Sequence, residues 1–199
     1  MDYQVKTKEY WENRDIIGYL NEVNHPHRKL ILDILKKEFK GFNNLLEIGC
    51  GPGANLVNIK KEFPKANLTG MDVNKLAIFK AREILPNDNF IIGDISTSLP
   101  FANKSFDVVL SDAILLYIDF FRIKPLLEQM LSISRKGLIL VELGGEMKLG
   151  ELKGNYWYRN YKKLLKRKGL KIIKYKIEKD IWSAPPWTES GYIYTVVHL

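Results

Sequence analysis

The stretch Leu45–Ala54, LLEIGCGPGA, decides the fold. An apolar strand is expected to end at Ile48, and a helix is expected to begin a few residues after the glycines. Gly49, Gly51 and Gly53 fill the joint between them. Glycine permits positive φ and leaves no side chain between the backbone and a ligand lying across the strand ends. The stretch therefore predicts a small-molecule site, although its spacing also fits the looser dinucleotide-binding pattern.

Outward from this loop, apolar runs alternate with segments of helical periodicity, and this alternation predicts an α/β fold with a parallel sheet. The predicted helices span Pro26–Phe39, Asn55–Glu62, Asn74–Leu85 and Lys124–Ser132. The predicted parallel strands span Leu45–Ile48, Ala66–Met71, Asn89–Ile92, Phe106–Ser111 and Leu138–Glu142. Two last runs, Lys171–Ile177 and Tyr192–His198, have no helix between them, so we expect the final strand to be antiparallel to its neighbour.

The composition predicts one compact domain over residues 1–199. Hydrophobic residues make up 46% and charged residues 27%, which excludes a disordered or fibrous chain. We expect a helical cap over 1–42, a ligand-binding core over 43–150, and a helix with a β-hairpin over 151–199. Cys50 is the single cysteine and no zinc-ligand spacing occurs, so we expect no metal and a cytoplasmic location. No apolar run is long enough for a membrane span.

Two acids follow the second and third predicted strands. Asp72 comes 23 residues after Gly49, where a carboxylate can accept hydrogen bonds from both ribose hydroxyls. Asp94 comes after the third strand and can accept from an exocyclic amine. A pyrophosphate would be poorly served by Glu47 and Asp94, whereas a sulfonium that carries an amine would gain from them. The electrostatics therefore favours S-adenosylmethionine over a dinucleotide.

These motifs carry a family resemblance. The run 47–53 (EIGCGPG), then Asp72, 93–95 (GDI), 99–101 (LPF) and 106–113 (FDVVLSDA) resembles the class I S-adenosylmethionine-dependent methyltransferases. Within them the chain looks most like the small-molecule branch related to ubiquinone and menaquinone methyltransferases. The resemblance covers about residues 43–150. It implies a Rossmann-like doubly wound sheet of seven strands, ordered 3-2-1-4-5-7-6, with the last strand antiparallel.

The resemblance also implies a set of cofactor contacts. Glu47 and the glycine-loop backbone would hold the methionine portion, and Asp72 would hold the ribose. Val73 would lie on the adenine face, with Asp94 on its amine. The Ile95 amide would bind a ring nitrogen, and the Ser111 backbone would contact the methionine amine. The implied cofactor-binding residues are Glu47, Gly49, Cys50, Gly51, Gly53, Asp72, Val73, Asp94, Ile95 and Ser111.

The catalytic residues are less well marked. Relatives of this branch often have a histidine pair after the fourth strand, where this chain has Leu116 and Tyr117. Candidates near the strand ends that could take a proton are Asp112, Tyr117 and Glu142. Methyl transfer requires mainly alignment, so a dedicated base need not exist. Three histidines lie outside the motifs and receive no role: His25, His27 and His198.

The basic charge is local. Between Lys148 and Asp180 there are twelve Lys and Arg against three Asp and Glu, and the whole chain carries +8. A helical wheel places Arg159 and Lys162 among other cations on one side of a predicted amphipathic helix and apolar residues on the other. These cations could simply form a solvent-exposed helix face without a partner, or they could bind the phosphates of an RNA substrate.

Three interpretations compete with a small-molecule methyltransferase that releases S-adenosylhomocysteine. The first is an RNA methyltransferase that uses the basic region. The second is a protein that binds S-adenosylmethionine without turnover. The third is a nicotinamide-dependent oxidoreductase, because Tyr158 and Lys162 have the Tyr-x-x-x-Lys spacing of short-chain dehydrogenases, although that family's glycine loop is missing.

Aromatic residues concentrate near both ends of the chain. Tyr10, Trp11 and Arg14 suit either a lid that excludes water or an ordinary first helix. Trp182 and Trp187 flank two prolines in a loop that could cover a substrate or enter a dimer contact. The sequence leaves the acceptor, the role of this loop and the oligomeric state open.

Overall fold

The computed structural model describes residues 8–199. The helices are α1 (Lys8–Asn13), α2 (Pro26–Glu38), α3 (Ala54–Glu62), α4 (Lys75–Ile84), α5 (Ile123–Ile133), α6 (Tyr161–Leu164) and α7 (Trp187–Ser190), with 3-10 turns at Ile17–Glu22 and Leu115–Tyr117. The strands are β1 (Asn44–Ile48), β2 (Asn67–Asp72), β3 (Asn89–Ile92), β4 (Phe106–Asp112), β5 (Ser134–Leu143), β6 (Glu151–Lys153), β7 (Tyr156–Tyr158), β8 (Leu170–Lys176) and β9 (Gly191–His198).

Seven of these strands form one sheet in the order β3-β2-β1-β4-β5-β9-β8. The strands β6 and β7 form a separate two-stranded hairpin, so the main sheet has the predicted order 3-2-1-4-5-7-6. The strands β1 to β5 are parallel, and β9 runs antiparallel to both β5 and β8. The predicted Rossmann-like fold is therefore confirmed, including its antiparallel last strand.

Apolar side chains cover both faces of the sheet. Successive residues of β1 point to opposite faces, so Leu45 packs in one core cluster and Leu46 in the other. On the first face, α2, α3 and α4 contribute Leu35, Leu56 and Ile78, among others. On the second face α5 contributes six buried side chains to the core. This two-sided burial explains why the central strands read as continuous apolar runs rather than alternating ones.

The prediction of an amphipathic helix in the basic region is wrong. The segment instead forms the β6–β7 hairpin and then the single turn α6. Arg159, expected on a solvated face, is fully buried, and its backbone N–H donates to Leu143 O at 3.1 Å. The side chain of Asn160 then caps α6 by accepting from Lys163 N. Tertiary burial of one arginine has overridden the helical charge pattern.

The carboxyl ends of β1, β2, β4 and β5 meet at one edge of the sheet. This edge contains the point where the strand order reverses, which is where open α/β sheets bind their ligands. Helix α2 precedes β1 and runs in the opposite direction, so its N-terminus also lies at this edge. Within residues 8–199, no helix has the length and apolar character that a membrane crossing requires.

Candidate active site

A cavity of about 620 Å³ opens at this edge of the sheet. Eight predicted cofactor-binding residues line it: Glu47, Gly49, Cys50, Gly51, Asp72, Val73, Asp94 and Ile95. The cavity wall does not include the other two, since Gly53 is the N-cap residue of α3 and Ser111 is fully buried in β4. Two catalytic candidates, Asp112 and Tyr117, line the cavity, whereas Glu142 does not.

The glycine loop adopts the geometry that its sequence predicts. Gly49, Gly51 and Gly53 all have positive φ, at 68°, 53° and 90°. The N–H groups of Gly49 and Cys50 donate to Met71 O, which fixes the loop across the end of β2. A Cβ on Gly49 would lie 2.4 Å from the side chain of Ile114. The first glycine is therefore required both for its φ and for close packing against the loop after β4.

Replacing Gly49 with alanine is expected to destabilise the protein for two reasons, the strain of an alanine at positive φ and the clash of its Cβ with Ile114. Gly41→Ala is the matched control, since Gly41 has φ 64° and a Cβ there would meet nothing within 4 Å. We expect Gly41→Ala to cost about 1–2 kcal/mol and Gly49→Ala to cost about 1–3 kcal/mol more. Thermal unfolding of both variants measures this difference. Equal destabilisation would show that Ile114 moves aside freely.

Asp72 braces the glycine loop from the end of β2. One carboxylate oxygen accepts from Gly51 N at 2.8 Å and the other from Asn74 N at 2.9 Å. Burial raises the pKa of Asp72, while these backbone donors oppose that shift. The α4 helix is capped by Asn74 rather than by Asp72, because the Asn74 side chain accepts from Ala77 N. Asp72 thus lies at the cavity wall with both oxygens oriented by the backbone.

Asn74 also ties the N-terminal segment to the site. Its Nδ2 donates to the carbonyls of Trp11 and Arg14, each at 2.8 Å. Lys8 lies 3.7 Å from Asp94 Oδ2 across the same cavity. This arrangement favours the interpretation of Trp11 and its neighbours as a cover over the cavity rather than as an ordinary first helix.

Asp94 and Ile95 follow the carboxyl end of β3 and line the same cavity. Asp94 Oδ1 accepts from Ser96 N at 2.8 Å. Partial burial would raise the pKa of Asp94, but the bonds from Ser96 and the charges of Lys8 and Arg122 hold it below its usual range. An ionised carboxylate at the cavity wall suits an amine donor.

Glu47 lines the cavity from the end of β1. Its Oε1 accepts from Asn55 Nδ2 at 2.6 Å, and its Oε2 is buried without a hydrogen-bond partner among residues 8–199. Burial raises the pKa of Glu47 to about 8. A buried oxygen without a donor is costly unless a ligand satisfies it, and a cationic ammonium would do so. These residues therefore fit the amino-acid end of S-adenosylmethionine.

Glu142 has a structural task. Its carboxylate accepts from the backbone N–H groups of Ile114, Leu115 and Leu116 at 2.8–3.2 Å and from the Ser111 hydroxyl at 3.3 Å. It is fully buried, and burial raises its pKa to about 8. Glu142 thus shapes the loop after β4 and does not reach the cavity.

Asp112, at the end of β4, accepts hydrogen bonds from a cluster of polar side chains. One oxygen, Oδ2, accepts from His27 Nε2 at 2.9 Å, Asn55 Nδ2 at 2.9 Å and Arg28 Nη1 at 3.4 Å. The other oxygen, Oδ1, is buried without a hydrogen-bond partner in the described part of the chain. Although burial favours the neutral acid, the charges and hydrogen bonds of its neighbours hold the pKa of Asp112 well below its usual range.

His27, Arg28 and Asn55 are site residues that the sequence reasoning missed. His27 is buried at the cavity wall, and its Nδ1 lies 2.5 Å from Nδ1 of His25, which caps α2. No motif marks these residues. One signal was present, because a helix that precedes the first strand must begin at the carboxyl edge of the sheet. Side chains at the start of Pro26–Glu38 were therefore candidates for the site.

Aromatic side chains enclose the cavity from two sides. On one side Trp11, Tyr117 and Tyr156 pack edge to face, with centroids 4.8 Å and 5.7 Å apart. On the other side Trp182 stacks on Trp187 at 4.2 Å and also on His27 at 4.7 Å. Burial raises the pKa of Tyr117 well above its usual range, so its hydroxyl stays protonated.

The charges at the cavity wall favour a cationic ligand. Its carboxylates are Glu22, Glu47, Asp72, Asp94, Asp112 and Asp119. Its Lys and Arg side chains are Lys8, Arg28 and Arg122. Even with Glu47 protonated, five carboxyl groups face three Lys and Arg side chains, and this arrangement disfavours a pyrophosphate. Among residues 8–199, no group of three or more His, Cys, Asp and Glu side chains is placed to hold a metal ion.

Comparison with known proteins gives similarity over the same region. A family model described as "Methyltransferase domain" matches residues 45–137. Trans-aconitate 2-methyltransferase of Rhodopseudomonas palustris BisA53 is 29% identical over 50% of this chain and 40% of its own. Malonyl-acyl-carrier-protein O-methyltransferase 1 of Ilyobacter polytropus is 34% identical over 44% of this chain and 33% of its own. The aligned regions span less than half the length of either relative.

Solved structures match over nearly the whole chain. Magnesium protoporphyrin IX methyltransferase of Synechocystis PCC 6803, solved with S-adenosylmethionine, has a TM-score of 0.64 at 14% identity, covering 94% of this chain and 87% of that one. An amino pentose methyltransferase of Micromonospora echinaspora has a TM-score of 0.66 at 14% identity, covering 94% and 98%. The cyclase SpnF scores 0.65 at 16% identity, covering 94% and 85%. At these identities the likeness shows a shared fold.

Proposed function

We propose that the chain is a class I S-adenosylmethionine-dependent methyltransferase that transfers the methyl group of S-adenosylmethionine to a small-molecule acceptor. The family uses S-adenosylmethionine as its methyl donor. The observation that carries the proposal is the meeting of three features in one cavity: a glycine loop with positive φ, Asp72 oriented by the backbone, and a buried Glu47 oxygen that requires a donor.

The residues at the ends of β1 to β3 would hold the cofactor. Glu47 would accept from the ammonium, Asp72 from the ribose hydroxyls and Asp94 from the adenine amine, with Val73 against the ring. Bound S-adenosylmethionine supplies an electrophilic methyl group and leaves S-adenosylhomocysteine. The work of the protein is then to orient the acceptor and exclude water, and orientation alone can supply about 7–11 kcal/mol.

A small-molecule acceptor is supported by the enclosure of the cavity and by the relatives. The cavity is covered by Trp11 on one side and by Trp182 and Trp187 on another. The relatives named above act, by their names, on trans-aconitate and on a malonyl group carried by acyl-carrier protein.

Placement in the quinone methyltransferase branch rests only on the motifs quoted above. The single buried cysteine supports a cytoplasmic location.

No structural observation favours RNA as the acceptor. The cations of residues 148–180 do not form one continuous helical track, and one of them, Arg159, is buried. A cell extract incubated with labelled S-adenosylmethionine and the protein tests the acceptor class directly. We expect label in the small-molecule fraction. Label mainly in RNA would overturn the proposal, and label in no fraction would favour a binding protein without turnover.

Cofactor affinity is expected to rise with pH through Glu47. Below pH 8 the free protein holds a proton on this carboxyl. A bound ammonium favours the carboxylate, so binding releases the proton, and affinity should increase by up to about tenfold per pH unit as the pH rises from about 6. Calorimetry of S-adenosylhomocysteine in buffers of different ionisation enthalpy counts this proton. In Glu47→Gln the proton release and the pH slope should both disappear. A slope that persists in the variant would assign it to another group.

A further inference from the structure

We propose that the acceptor is an aromatic compound carrying a hydroxyl or amino group, which lies between the two aromatic sides of the cavity and donates a hydrogen bond to Oδ1 of Asp112. The inference rests on the proposed methyltransferase function and names its substrate class. It distinguishes this chain from relatives whose names specify a carboxylic acid as the acceptor.

The sheet topology divides the cavity into two halves. The ends of β1, β2 and β3 carry the residues that fit the cofactor, from Glu47 to Ile95. The ends of β4 and β5 carry Asp112 and Leu143, and the later segments add Tyr156 and Trp182. Asp112 shares the Asn55 amide with Glu47, so it lies where the amino-acid end of the cofactor would meet the half that is left for the acceptor.

Aromatic rings dominate the acceptor half. Tyr117 and Tyr156 meet edge to face on one side, and the parallel rings of Trp182 and Trp187, only 8° apart, close the other. All four side chains are partly exposed at the cavity rather than fully buried. Planar rings prefer stacked or edge-to-face packing against such walls, and such ring pairs stabilise a bound aromatic compound beyond area burial alone.

Asp112 supplies the polar anchor at the base of this half. Three donors, from His27, Arg28 and Asn55, all bond to its Oδ2. Its Oδ1 is left buried and without a partner among residues 8–199. Because Asp112 lies at the cavity wall, a ligand that brings an O–H or an N–H within reach of this buried oxygen would supply the missing donor.

The same charges disfavour a carboxylate acceptor. Each cation at the described cavity wall already has protein partners. Lys8 lies near Glu12 and Asp94. Arg122 lies near Asp119 and donates to Ser96 O. The guanidinium of Arg28 donates to Glu22 O, Asn55 and Asp112. A carboxylate placed here would meet Asp112 and gain no unengaged cation from these groups.

The transfer step balances with these groups. The acceptor oxygen or nitrogen forms a bond to the methyl carbon as the carbon–sulfur bond breaks, and the sulfonium takes that electron pair to become a neutral thioether. Methylation leaves the acceptor oxygen or nitrogen positively charged, and its proton, oriented by the hydrogen bond to Asp112 Oδ1, is lost to solvent as product leaves. His27 and Arg28 act as positioning residues, because they hold Asp112 ionised and aimed at the acceptor.

Calorimetry with the protein loaded with S-adenosylhomocysteine tests the substrate class without requiring turnover. The probes are 4-propylphenol, 4-propylaniline, 4-propylbenzoate and trans-aconitate. We expect the phenol or the aniline to bind at least tenfold more tightly than the benzoate, and trans-aconitate to give no heat. Tighter binding of either carboxylate, or no binding of the phenol and the aniline, overturns the inference. Failure to load S-adenosylhomocysteine would instead count against the proposed function.

Variants then assign the discrimination to residues. Asp112→Asn keeps the side-chain shape and removes the charge, so the phenol-to-benzoate preference should fall to within about threefold, while Asp33→Asn, an exposed control on α2, should keep it. Trp182→Leu should weaken phenol binding at least fivefold, whereas Phe121→Leu, 83% exposed, should not. If Asp112→Asn does not fold, His27→Gln leaves the carboxylate in place and should reduce the preference at least threefold. An unchanged preference in the folded variant overturns the role of Asp112.

Discussion

Replacing Glu142 with alanine is expected to lower the free energy of unfolding by about 3–5 kcal/mol. The substitution leaves three consecutive backbone N–H groups, at Ile114, Leu115 and Leu116, without their acceptor in a buried loop. Each stranded donor costs about 1–3 kcal/mol, partly recovered where water enters. Chemical denaturation with the midpoint and slope both fitted measures the loss.

Two controls separate this effect from a general loss of charge. Glu146→Ala removes an exposed carboxylate four residues away and should change stability by less than about 0.5 kcal/mol. Glu142→Gln keeps one oxygen for the backbone donors and should fall between the two. If Glu142→Ala were as stable as Glu146→Ala, the loop after β4 would have another support, and the structural role assigned to Glu142 would be wrong.

Replacing Asp72 with alanine is expected to weaken S-adenosylmethionine binding by about 2–4 kcal/mol, roughly 30- to 1000-fold. The substitution removes the proposed ribose acceptor. It also removes the partner of Gly51 N and Asn74 N, so the glycine loop and the segment held by Asn74 both loosen. For this reason we expect a larger loss than one stranded ribose alone would cause.

Asp72→Asn tests the two contributions separately. Its amide oxygen can still accept from Gly51 N, so the loop should stay in place while a ribose contact is weakened. Asp33→Ala serves as the matched control, since Asp33 is exposed on α2. Affinity is measured by calorimetry and folding by circular dichroism. Unchanged affinity in a folded Asp72→Ala would remove Asp72 from the cofactor site and leave it with a bracing role only.

The central half of the fold was predictable from sequence because local signals and tertiary structure agree there. The helix Pro26–Glu38 was predicted one residue too long, and β3 at Asn89–Ile92 was predicted with its observed bounds. Glycines at one strand end and acids at the next two strand ends also lie close together in space, because the carboxyl ends of parallel strands meet at the same edge of the sheet. Spacing and the family resemblance together therefore pointed to ten residues, of which the structure places eight at one cavity.

The acceptor half could not be read in this way. Arg159 looked like a surface cation because a helical wheel considers only its own segment, whereas its burial depends on carbonyls about forty residues earlier. His27 carries no motif, and its contact with Asp112 joins residues 85 apart. Long-range contacts of this kind leave no periodic trace in the sequence.

The buried guanidinium of Arg159 has one more implication. It donates to the carbonyls of Leu115, Ile118 and Leu149, and so fastens the β6–β7 region onto the loop after β4. Every amino acid carries a main-chain carbonyl, so these hydrogen bonds can form whatever side chains occupy those three positions. The side chains at these three positions can therefore change during evolution while the attachment of the β6–β7 region is kept.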